Sequence, residues 1–87
     1  MDNIKQLIYE NKTSKAIRLL DECINQDPTA DEAWYLRGNA YRKQENFQQA
    51  LNNYLKAIEI NPDSPAKEAH VMLMKILNYY NKEIYNP

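Results

Sequence analysis

The sequence predicts an all-α chain of antiparallel helical hairpins, and three observations lead there. Only one glycine occurs in 87 residues, so little interrupts the stretches between prolines. Trp34, Gly38 and Tyr41 recur at i, i+4 and i+7, the spacing of one helix face. The chain also matches itself at a shift of 34 residues, pairing Ala16 with Ala50, Leu20 with Tyr54, Ile24 with Ile58 and Pro28 with Pro62. Self-similarity at that period marks a repeat of helical hairpins.

The elements follow in order. A first helix is expected over about 2–11 and a second over about 14–26, closed by Pro28. Cys23 falls on Ala57 in the repeat and reads as a small buried residue. Thr29 with Glu32 fits a capping box at the start of a third helix, about 31–44. The fourth spans about 47–60, with Ala50, Tyr54, Ala57 and Ile58 on one face, and NPDSP breaks it. Ser64 caps the last helix, about 65–81, with Pro65 in its first turn. These make one domain: a shortened first repeat over about 2–28, a full repeat over about 31–62, and a capping helix with a tail over 65–87. The capping helix is expected to bury several of Val71, Met72, Leu73, Ile76 and Leu77. Its apolar residues exceed one stripe, so a second covered surface is expected. Either Ile84 and Tyr85 fold back after a turn near Asn81, or the helix meets a partner.

At residues 33–62, AWYLRGNAYRKQENFQQALNNYLKAIEINP, the sequence resembles the tetratricopeptide repeat. Trp34, Gly38, Tyr41, Phe47, Ala50, Tyr54, Ala57 and Pro62 stand where that family has aromatic, small or helix-ending residues. Two positions depart from it. Arg37 replaces the usual Leu, so its stem should pack while its head reaches water, and Glu45 replaces the usual turn Gly, so it should adopt a left-handed or irregular conformation. In the first repeat, Ile4 takes the place of the close-contact glycine. The resemblance covers roughly residues 4–64 and implies hairpins stacked as a short right-handed α-α superhelix, about two repeats with a capping helix.

The composition narrows the function. A net charge of −1 lacks the clustered basic surface that nucleic-acid binding needs. No stretch approaches a membrane span and the first residues carry charge throughout, so the expected location is cytoplasmic. One cysteine and one histidine, Cys23 and His70, cannot build a zinc site, and no third group orients them as a catalytic pair. The carboxylates are scattered, and the single glycine lies inside a helix, so no paired acid or phosphate loop exists. No cofactor, metal or enzymatic activity is expected.

In tetratricopeptide proteins the first helix of each hairpin lines a concave groove that receives peptides or extended protein segments. The resemblance places Glu32, Tyr35, Asn39, Arg42 and Lys43 toward that groove, a set suited to an acidic protein or peptide segment. Asn39 matches the backbone-gripping asparagine of the family's chaperone-tail binders. Their paired cations are not reproduced, with Lys5 where the first repeat would have Asn and Leu36 in place of a polar contact. The expectation is therefore a protein-binding module, monomeric or weakly dimeric. The alternative is a structural module that self-associates, or caps an assembly, through the apolar last helix.

Overall fold

In a computed structural model, the chain forms α1 (Asp2–Tyr9), α2 (Thr13–Gln26), α3 (Asp31–Lys43), α4 (Phe47–Ile60) and α5 (Ala66–Tyr85). The structure describes the backbone of residues 1–85 and the side chains of residues 1–80. Among the described residues there is no strand, and the first four helices fall within two residues of their expected ends.

Both hairpins close in the same way. Asn11 and Glu45, 34 positions apart, hold left-handed φ angles of 67° and 62°. Behind them Lys12 N donates to Leu7 O at 2.8 Å and Asn46 N to Tyr41 O at 2.9 Å, the long bond of a Schellman turn. Neither turn uses glycine. Ser64 caps the last helix as expected, its hydroxyl accepting from Ala66 N at 3.1 Å. The expected capping box at α3 does not form. Thr29 instead gives both its hydroxyl, at 2.6 Å, and its N–H, at 3.0 Å, to Asp27 Oδ1. Those two bonds pull the Asp27 carboxyl below the ordinary aspartate value.

One core unites α1, α2 and α3 through Ile4, Ile8, Ala16, Leu20, Ala33, Leu36 and Ala40; Cys23 packs against it while only partly buried. A second joins α4 and α5 through Ala50, Tyr54, Ala57, Ala66 and Leu73. The chain therefore stacks as hairpin, hairpin and single helix. Inside the second hairpin, a Cβ at Gly38 would lie 2.6 Å from Tyr54 Cδ1 and Cε1 and 3.2 Å from Ala50 O, so the tyrosine ring occupies the space glycine leaves. At the same place in the first hairpin Ile4 and Leu20 are both buried. Two aliphatic side chains of similar size stand there in place of glycine and tyrosine.

Arg37 is anchored more firmly than expected. Its Nε lies 2.9 Å from Asp21 Oδ1, although its N–H does not point along that line, so the contact is a charge pair and not an aligned hydrogen bond. Its guanidinium also sits 5.9 Å from the Trp34 ring centroid and 5.6 Å from that of Tyr41.

The last helix departs most from expectation. Leu73 is buried and Leu77 half-buried, but Val71, Met72 and Ile76 are 45%, 63% and 45% exposed. The buried set Ala33, Leu36, Ala40 of α3 recurs as Ala66, the partly buried Ala69 and Leu73, a spacing of 33 where the hairpins repeat at 34, so Val71 stands at the position of Gly38. No helix follows to cover that flank among the described residues. Nor does the chain turn at Asn81, because α5 continues to Tyr85. The side chains of Ile84 and Tyr85 lie outside the described residues.

Candidate groove between the first helices of each unit

Three helices, α1, α3 and α5, line two adjoining hollows that share Tyr35 and Asn39. The larger, about 400 Å³, lies between α3 and α5, with Tyr35, Asn39 and Arg42 on one wall. Glu68, Met72 and Ile76 form the other, over a floor that includes Leu73. The smaller, about 260 Å³, adds Lys5 and Ile8 of α1. Helical repetition explains the wall on α3, because residues 35, 39 and 42 fall on one face.

Tyr54 of α4 holds two of these groups from behind. Its hydroxyl donates to Asn39 Oδ1 at 2.5 Å and accepts from Arg42 Nε at 3.3 Å. Since Arg42 can only donate, the tyrosine proton must go to the amide oxygen, which turns the Asn39 amide nitrogen away from Tyr54. Burial pushes the Tyr54 hydroxyl above the ordinary tyrosine value, and the nearby Arg42 charge opposes part of that rise. The Tyr35 ring lies 6.1 Å from that of Tyr54 at a 37° tilt. Tyr35, Asn39 and Arg42 are thus a braced set.

The other two expected residues stand apart from it. Lys43 reaches back to the end of α1, its Nζ 3.4 Å from Tyr9 O and 5.9 Å from the Tyr9 ring centroid. Glu32 is exposed and lines neither hollow. Sequence reasoning also missed the opposite wall on α5, since Met72 and Ile76 were assigned to the buried face. For Met72 the signal is the one-residue change of register seen in Ala66, Ala69 and Leu73, which sets it level with Asn39. Leu36, read as a replaced polar contact, is 3% exposed and belongs to the core.

Among the described residues, no group of three or more His, Cys, Asp or Glu side chains could hold a metal, and no helix is long and apolar enough to cross a membrane. The arrangement offers hydrogen-bond donors, one aromatic face and apolar surface.

The sequence profile of the tetratricopeptide repeat matches residues 31–64. The solution NMR structure of Bacteroides fragilis protein BF1650 is 52% identical, covering 98% of this chain and 87% of that one, with a TM-score of 0.88. Cell division cycle protein 27 homolog B of Arabidopsis thaliana is 35% identical over 63 residues, 71% of this chain and 8% of that protein. The tetratricopeptide repeat and J domain-containing co-chaperone DNJ1 of Cryptococcus neoformans var. grubii is 32% identical over 77 residues, 88% of this chain and 14% of its own length. The chain thus spans about a tenth of the curated relatives it matches. Repeats of this kind generally mediate protein–protein interaction without catalysis. With its paired helices, its Gly38–Tyr54 contact and these matches, the chain belongs to the tetratricopeptide-repeat family.

Proposed function

We propose that the protein is a non-catalytic interaction module that binds a segment of another protein in the groove between α3 and α5. The observation that carries this reading is the braced set: Asn39 and Arg42 are held by one buried hydroxyl while their remaining donors are unused within the hydrogen bonds described. Fixed donors lose little freedom on binding, which favours a site over an ordinary solvated face. Arg42 takes part in no ion pair among the described residues, so a carboxylate on the bound segment suits the α3 wall, while Glu68 stands on the wall opposite. The J-domain relative is a co-chaperone by name, but this chain spans only 14% of it, and the reading needs no such activity.

Capture of a partner by the wild-type chain, with Tyr35→Ala plus Arg42→Ala as control, tests the reading. The double variant should keep its fold and lose the partner, and the wild-type affinity should weaken as salt rises. Equal capture by the two proteins would count against the groove. A second reading, self-association through α5, draws on the exposure of Val71 and Met74 at 45% and 37%. Sedimentation over a range of concentrations separates it: a mass that stays monomeric excludes it.

A further inference from the structure

Resting on the second reading above, self-association through α5, we infer that the flank of α5 carrying Val71 and Met74 receives the same flank of a second copy, with the two helices antiparallel and both grooves left open. The exposed large apolar side chains are unevenly placed: of the nine among the described residues, six lie on α5 and none on α2 or α3. Such a concentration marks an interaction surface, unlike the scattered apolar exposure of an ordinary monomer.

The fold shows what covers this flank elsewhere. In the second hairpin the corresponding face of α3 carries Gly38 and Tyr41, and the antiparallel helix α4 lies on it: Tyr54 and Ala50 border Gly38, and Tyr41 packs into the same cluster. At the spacing of 33 those positions become Val71 and Met74, which are 45% and 37% exposed, with no following helix over them among the described residues. The neighbouring shoulder of α4 is apolar too. Leu55, 50% exposed, stands 34 positions after Asp21, which in the preceding unit meets Arg37 of α3. Flank and shoulder together form a seat for one antiparallel helix.

The other end of the stack decides which helix takes that seat. Among the described residues, the first hairpin exposes only Met1 and Tyr9 as large apolar side chains, at the two ends of α1, so it offers nothing for a head-to-tail contact. Like faces must then meet, and a two-fold pairing of like faces closes at two chains. Charge selects the direction. Antiparallel packing with Val71 level with Met74 of the second copy sets Glu68 level with that copy's Leu77, and so about 3 Å along the axis from its Lys75. The two-fold makes this complementary pair twice. Parallel packing would set Lys67, Glu68 and Lys75 each level with its own like charge. The groove stays outside the seam, because Met72 and Ile76 lie about 100° and 140° around α5 from Val71. The pair therefore presents two grooves, and a partner with two binding segments gains by avidity.

Sedimentation equilibrium of the full chain from micromolar to millimolar should show the mass rising from one chain toward two, since a seam of one helix is small for a permanent interface. Val71→Glu should raise the dissociation constant at least about tenfold, and because Val71 is exposed its circular dichroism should match the wild type. Glu68→Lys should weaken the pair by a similar factor, and adding Lys75→Glu should restore it. In a mixture of isotope-labelled and unlabelled chains, intermolecular contacts should join Val71 to Met74. A mass that stays monomeric overturns the self-association reading and the inference together. A dimer whose contacts run through Met72 and Ile76, or join α5 to α1 or α2, keeps self-association and overturns this arrangement. So does a charge swap that fails to restore pairing, or a Val71→Glu variant that sediments as the wild type does.

Discussion

Glycine at position 38 is what lets a tyrosine at position 54 reach the groove from the far side of its hairpin. Any side chain there meets the Tyr54 ring at 2.6 Å, so Gly38→Ala should cost about 1–3 kcal/mol in denaturant unfolding. The first hairpin supplies the compensating pair. Ile4 and Leu20 fill the equivalent space, so Gly38→Ile combined with Tyr54→Leu should recover much of the loss of Gly38→Ile alone, with a coupling of about 1–3 kcal/mol. Strict additivity would show that the two positions do not meet. Tyr54 also carries a pH signature. Its folded pKa is raised by burial, so the unfolded chain ionises first as pH climbs past about 10 and then binds fewer protons than the folded one. The stability contributed by the neutral hydroxyl is present below that value and is lost above it. Wild-type stability should therefore fall more steeply than that of Tyr54→Phe over the alkaline range; equal slopes would mean the hydroxyl is not sequestered.

At the scale of the element, the helices were legible because breakers and helical spacing agree along most of the chain. The Glu45 turn was legible too, since a repeat length fixes where the chain must reverse even when glycine is missing. Its left-handed φ of 62° costs about 1–2 kcal/mol for a residue with a Cβ, against about 0.5–1 kcal/mol of added entropy loss for glycine. Glu45→Gly should accordingly raise stability by about 0.5–1 kcal/mol, seen as a higher denaturation midpoint, and a lower midpoint would contradict the turn geometry. The last helix was harder to read. Its apolar residues lie on several sides, so periodicity alone could not separate the face covering Tyr54 from the wall of a groove. Leu73 with half of Leu77 amounts to about 3–4 kcal/mol of burial, a large part of a typical total of about 5–15 kcal/mol. Ending the chain after Ser64 should therefore leave a protein that unfolds or aggregates, as circular dichroism and light scattering would report. A stable, cooperatively unfolding monomer would show that α5 does not close the core.

For the whole molecule, stacking turns three separate helix faces into one surface. Of the five residues that the family resemblance placed toward a groove, Tyr35, Asn39 and Arg42 share it, because one hydroxyl from α4 braces two of them. Lys43 departs because a backbone carbonyl at the end of α1 is within its reach. A long flexible side chain takes such a partner only once the hairpins are assembled, which a linear pattern does not encode. The opposite wall was hidden for a related reason: a one-residue change of register turned Met72 from the core to the groove. The central claim is that this groove, and not the outer helices α2 and α4, receives the partner. Chemical-shift mapping of the labelled protein with its captured partner tests that most directly. Perturbations concentrated at Tyr35, Asn39, Arg42, Met72 and Ile76 are the predicted result, and perturbations concentrated on α2 and α4 would contradict it.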